Sequence, residues 1–166
     1  MSVNTSETNR INADQVRCVA DAVSSAMAWV AGEEPQLRGE APVDQALRCE
    51  GVVGCISLVG DVDWSLVLSI PRATASALAG NFAGFEIPFD SPDMGDAVGE
   101  MANLVAGEVK VQLDGIGLAA EISLPQVFRG EIIEVLQLPH LPSKLLSFEC
   151  SCGPLWVAIA QSGRST

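Results

Sequence analysis

The chain has 166 residues, enough for one domain that buries about 70% of the surface its unfolded form exposes. Apolar residues make up 48% of it, which argues against disorder, and its longest uncharged apolar stretch, 51 to 60, is too short to span a bilayer. A formal charge of -12, from 21 acidic and 9 basic residues, disfavours nucleic acid and anionic membranes as partners, because phosphate recognition depends on clustered Lys and Arg.

The first ten residues, MSVNTSETNR, lack the basic start and apolar run of a signal peptide. They are expected to be a flexible polar tail on a cytoplasmic protein, ahead of a single domain over 11–162 and a short tail at 163–166. Asn12 starts the first helix as its cap, with Gln15 reaching back in a capping box and Ile11 stapling onto Val16. Gly32 stops it. From 36 to 70 the pattern becomes strand-like, with runs CISLV and WSLVLSI broken by Gly and Asp, which predicts a meander of two or three strands with Trp64 packed in the sheet. An Ala-rich helix follows over 72 to 83, then a loop, FEIPFD, that has no clean period.

A long helix is expected to begin with Ser91 as cap and Pro92 at the first helical position, and to run to about Leu113 before Asp114 and Gly115 break it. Strands are expected over 119 to 124 and 145 to 152, then a turn at Gly153 and Pro154 and a last strand, LWVAIAQ. The intervening stretch, 126 to 142, is ambiguous between helix and strand. The five cysteines at 18, 49, 55, 150 and 152 are odd in number and contain no paired CxxC units, so reduced thiols are expected rather than a disulfide framework or zinc site. Cys150 and Cys152 would share one side of a strand, but with His140 as the sole histidine they make a poor metal cage.

Two segments of the chain resemble each other. DAVSSAMAWVAGE at 21 to 33 aligns without gaps to DAVGEMANLVAGE at 96 to 108, with identity at seven of thirteen positions. Each begins a helix followed by strands, so the chain reads as a duplicated helix-plus-strands unit joined by the middle helix. On the second of these helices Asp93, Asp96, Glu100, Asn103 and Gly107 fall in one narrow stripe, a single polar ridge. Val98, Met101, Ala102, Val105 and Val109 take the opposite side at core spacing, so this helix lies on the sheet and turns its ridge to solvent. Gly107 leaves a gap beside the Glu100 and Asn103 pair where another backbone could approach.

Asp96, then Glu100 four residues on, then Asn103 three further, resembles the motif of the CheC/CheX/FliY phosphatases of bacterial chemotaxis, and Pro125 stands close to the place of that family's later proline. The resemblance runs from about Asn12 to Gln161. In the first copy Ser25 and Ala28 stand where Glu and Asn would be, so one site remains, as in CheX-like rather than CheC-like members. What the resemblance implies is an α+β fold of two layers, an antiparallel sheet with long helices on one face, and a homodimer joined along sheet edges. It also implies a phosphatase acting on the aspartyl phosphate of a CheY-type response regulator. Glu100 would pair with the regulator's active-site lysine and Asn103 would enter its site, with Asp96 and Gly107 in secondary, partner-binding positions.

These residue types suit that chemistry. Hydrolysis of an aspartyl phosphate has a loose transition state, so positioning and charge stabilisation contribute most. An Asn carboxamide is neutral and carries both acceptor and donors, so it can orient a water in line with phosphorus without repelling the phosphoryl group. No tightly held cofactor is expected in the chain, and Mg2+ belongs to the regulator. A second reading of the same ridge is a non-catalytic docking module for a response regulator or flagellar-switch protein. His140, between two prolines, has no nucleophile motif near it, and there is no Gly-rich nucleotide loop. Trp29, Trp64 and Trp156 read as core or interface aromatics.

Overall fold

The computed structural model describes residues 10–43, 46–136 and 141–162. Along the chain come α1 (Ala13–Ala31), β1 (Gln36–Ala41), β2 (Ala46–Gly60), β3 (Asp63–Pro71), α2 (Arg72–Ala83), α3 (Pro92–Gly115), β4 (Ala120–Ile122), β5 (Gln126–Leu136), β6 (Ser143–Cys150) and β7 (Gly153–Gln161). The first helix starts as its sequence dictates. Gln15 N–H donates to Asn12 Oδ1 at 2.9 Å and Asn12 N–H donates to Gln15 Oε1 at 3.0 Å, so two donors that the helix leaves unpaired are satisfied reciprocally. Gly32 ends the helix in the left-handed conformation, its N–H donating to Ala28 O. Replacing Asn12 by Ala should lower stability by about 1 kcal/mol, read as a shift of the denaturant midpoint at constant slope.

Among the described residues all strand pairs are antiparallel, and seven strands form one sheet in the order β1-β6-β7-β3-β2-β4, with β5 continuing the edge that β4 begins on β2. This order is the same read from either end when β1 is matched to β4 and β5, β6 to β2, and β7 to β3. Each half lends its first strand to the hairpin of the other: β1 caps β6, while β4 and β5 cap β2. The duplication legible in the two helices is therefore carried by the sheet as well, and α1 packs against α3 above it.

The strands alternate, as half-buried strands must. Leu66, Leu68 and Ile70 of β3 and Val157 and Ile159 of β7 join the helices in the main core. Val67 and Ala158 point the other way, into a second apolar cluster with Leu47, Cys49 and Val53. That cluster forms because β2 runs past the end of β3, and its Ala46–Cys49 portion pairs with β5 alone. The three helices, not only the two related ones, contribute to the main core, α2 through Ala75, Leu78 and Ala79. Among the described residues no helix is long and apolar enough to cross a membrane.

Several expectations are refined by the structure. The segment 126 to 142 holds β5 over its first eleven residues; its alternation is blurred because this edge strand pairs with β2 alone through an irregular register and packs part against the main core and part against the second cluster. Cys150 ends β6 and Cys152 lies in the tight turn before β7, so the two are not alternate positions of one strand. The last helix runs through Asp114 and Gly115 and stops at Ile116, after which Gly117 takes the left-handed conformation at φ 82°. Trp64 is buried in the sheet and Trp156 is half-buried, but Trp29 is 73% exposed, standing edge-on to Phe82 with ring centroids 5.6 Å apart. His140 lies outside the described residues.

Candidate functional site

The helix α3 carries the ridge, and its seat on the sheet follows from its sequence. Met94, Val98, Met101, Ala102, Val105, Val109 and Leu113 are fully buried, each large side chain contributing about 1.5–3 kcal/mol by leaving water. Their spacing leaves the ridge outside. The helix comes so close to β2 that a Cβ on Gly54 would stand 3.0 Å from Ala102 Cβ, and glycine at that strand position permits the approach.

Its first turn is held from outside. Ser91 occupies the cap position but makes no side-chain bond to the helix; its hydroxyl donates instead to Pro88 O at 2.8 Å. Arg129 of β5 takes over the fixing role, donating to Phe89 O at 3.0 Å and Ser91 O at 2.7 Å. Arg72 at the start of α2 lies over the Phe89 ring, 4.3 Å from its centroid, and 3.8 Å from the Asp90 carboxylate. The FEIPFD loop is thus clamped between two guanidinium groups, which sets the register of α3 against the sheet. Arg129 has no sequence signal of its own, because its role depends on β5 crossing the start of a helix 38 residues earlier in the chain.

Asp96 and Glu100 are exposed and Asn103 is half-exposed. Side chains three residues apart on a helix have Cβ atoms about 5–6 Å apart, so Glu100 and Asn103 form one patch. Among the described residues neither side chain has a hydrogen-bond or ion-pair partner, which leaves a carboxylate and a carboxamide free for another molecule. Gly107 is half-buried, and an added Cβ there would meet nothing within 4 Å. The ridge is not uniformly polar, however. Leu104 and Val111 share its outer side at 39% and 61% exposure, because the helix is wider than its buried stripe.

Tertiary structure brings two distant residues to the ridge. Pro125 and Val127, at the β4 to β5 junction, face Gly95, Asp96, Gly99 and Glu100 across a groove of about 440 Å³. Pro125 was legible as part of the motif; Val127 and the two glycines were not, since nothing in the chain order places β5 beside α3. The corresponding positions on α1, Asp21, Ser25 and Ala28, are solvent-accessible but offer no carboxamide.

Four of the five cysteines are poor nucleophiles. Burial pushes the Cys49 and Cys55 thiols up, and Cys18 rises through burial and the nearby Asp21 and Asp14 carboxylates. Burial and the neighbouring Cys150 do the same for Cys152, so these four thiols are held in the protonated, weakly nucleophilic form. All five cysteines are free.

The sequence profile of the family described as chemotaxis phosphatase CheX matches residues 52–148, a span that includes Asp96, Glu100, Asn103 and Pro125. No curated protein sequence matches the chain. Among solved structures, the chemotaxis protein CheX from Desulfovibrio desulfuricans superposes with a TM-score of 0.82 at 19% identity, covering 90% of this chain and 99% of that one. CheX from Vibrio vulnificus gives 0.79 at 20% identity, with 90% and 100% covered. The CheX-CheY-BeF3-Mg+2 complex from Borrelia burgdorferi gives 0.73 at 20% identity, with 92% and 98% covered. With more than half of its residues matched by the family profile and the fold shared along nearly its whole length, the chain belongs to the CheX family of chemotaxis phosphatases.

Proposed function

We propose that this protein hydrolyses the aspartyl phosphate of a CheY-type response regulator and so ends that regulator's signal. The observation that carries the reading is the pair Glu100 and Asn103, accessible and unpaired among the described residues on a helix that the CheX family match includes. In this reading Glu100 forms an ion pair with the regulator's active-site lysine, which fixes the docked helix. Asn103 then enters the regulator's site, accepts a hydrogen bond from water and holds its oxygen in line with phosphorus. Attack forms the new P–O bond while the bond from phosphorus to the aspartate oxygen breaks. The products are inorganic phosphate and the free aspartate, which keeps the electron pair.

The Mg2+ ion in this scheme belongs to the regulator, where it neutralises charge on the phosphoryl oxygens. The Borrelia burgdorferi structure, which holds CheX, CheY, BeF3 and Mg+2 together, supports that division. We assign the activity to one domain over 11–162 acting in the cytoplasm. A homodimer through the open edges of β1 or β5 belongs to the same proposal, each of these strands being paired along one side only.

The test is release of radiolabelled phosphate from phosphorylated CheY-type regulators. Accelerated loss with at least one regulator is expected at catalytic amounts of protein. Binding without acceleration would mean that the ridge is a docking surface alone.

A further inference from the structure

The edge of β2 nearest the start of α2 is left without a neighbour. Residues 46 to 50 run past the end of β3, which stops at Pro71, and they pair with β5 alone. Beside this free edge lies a cavity of about 570 Å³, a size ordinary for a small-molecule site. Its walls differ in chemistry. Arg72 and Ala73 come from the first turn of α2, Arg48, Cys49 and Glu50 from β2, and the half-buried Trp156 from β7.

The α2 end of this cavity suits an anion. That helix has twelve residues, and no side chain bonds its first N–H groups, because Pro71 stands at the cap position. Its first turn also lacks an acid to offset the positive end of the dipole. Arg72 has donors to spare: its guanidinium lies over Phe89, the Asp90 carboxylate stands off at 3.8 Å, and it makes no side-chain hydrogen bond among the described residues. Arg48, by contrast, is already held by Glu134 at 2.8 Å.

The sheet supplies an independent sign. Leu68 and Ile70 of β3 and Leu155 and Val157 of β7 point into the main core, so Ser69 and its cross-strand neighbour Trp156 point the other way, to the face where Cys49 lies. Ser69 is 1% exposed, and its hydroxyl lies beside the Cys49 thiol at the floor of the cavity. Among the described residues it is the one buried side-chain oxygen or nitrogen without a hydrogen-bond partner. A hydroxyl buried in that way carries an uncompensated desolvation cost, which a polar group entering from the cavity would remove.

We propose that this cavity binds a small organic anion, with a single carboxylate or phosphate group at the start of α2 against Arg72 and a planar ring on Trp156. The exposed Glu50 is the carboxylate of the lining and limits the ligand to one anionic group. The assignment uses no residue of the α3 ridge and stands apart from the phosphatase reading.

In the isotope-labelled full chain, the indole N–H resonances of the three tryptophans report binding, with Trp156 assigned through Trp156→Phe and with Trp29 and Trp64 as internal controls. Benzoate and adenosine monophosphate are the probes, and they separate a carboxylate from a phosphate. A saturable shift of the Trp156 resonance at millimolar concentrations is expected with at least one of them, and inorganic phosphate alone should bind about tenfold more weakly. Ala73→Glu puts a carboxylate in the first turn of α2, where it favours the helix and repels an anion; it should weaken binding about threefold or more without lowering the melting temperature. Glu50→Gln should tighten binding by about threefold. The absence of a saturable shift with both probes, or an affinity that neither substitution moves, would overturn the assignment. Inorganic phosphate binding as tightly as the better probe would overturn it too, since the ring would then gain nothing from Trp156.

Discussion

Asn103→Ala should lose about 100-fold or more of the accelerated phosphate release while still binding the regulator. The carboxamide is the one neutral group on the ridge able to accept from a water proton and donate elsewhere at once, and truncation to a methyl leaves the attacking water without a fixed position. Removing a positioning or proton-accepting group of this kind typically costs between about 10² and 10⁴ in rate. Because Asn103 is half-exposed and makes no side-chain bond among the described residues, its loss should leave the melting temperature almost unchanged. Asn103→Asp should do no better, since a second carboxylate beside Glu100 would repel the phosphoryl oxygens. The measurement is single-turnover loss of label with the protein in excess, paired with a binding titration. Equal rates for wild type and Asn103→Ala would remove this residue from the mechanism.

Gly51→Ala should cost about 4 kcal/mol or more, a large part of the stability of an ordinary domain, and lower the melting temperature by about 8–16 °C. Gly51 lies where β2 changes partners: it pairs with Pro71 of β3 on one side and Gly130 of β5 on the other, and the β5 register shifts between Cys49 and Gly51. Its φ of 141° is one that side chains rarely adopt, and an added Cβ would run into the Ile70 carbonyl oxygen and stand 2.8 Å from Arg72 N. All of these obstacles are backbone, so no rotamer change relieves them. The consequences reach the ridge, because Arg72 clamps the loop before α3 and β5 carries Arg129, Val127 and Pro125. Thermal unfolding followed by circular dichroism reads the effect directly; a variant melting within a few degrees of wild type would show that the strand can shift register to make room.

The extent to which the chain could be read in advance follows the range of the interactions involved. The capping box at Asn12 and Gln15, the stop at Gly32 and the limits of α2 are decided within four or five residues of chain, and the structure places them where local chemistry puts them. Duplication was visible because two helices share their apolar and their outward positions. Ser91 shows the limit of such reading: the residue stands at the cap position, yet the helix is fixed by Arg129, and the serine bonds to Pro88 instead. The strand β5 could not be read for a related reason: it pairs with β2 alone, and its side chains divide between two apolar clusters, Val127 against the main core and Ile133 and Val135 against the second.

Helical periodicity in the chain was enough to assign the apolar face of α3, and therefore to bring out Glu100 and Asn103 together on the other. Similarity between segments 75 residues apart likewise gave the two-fold plan of helix and strands. Three features came from the folded whole: each half lends its first strand to the other, Arg129 holds the start of α3, and Pro125 and Val127 wall a groove floored by Gly95 and Gly99. Those features depend on which strand lies beside which helix, a choice made by burial of the whole apolar surface at once, and no window of neighbouring residues contains it.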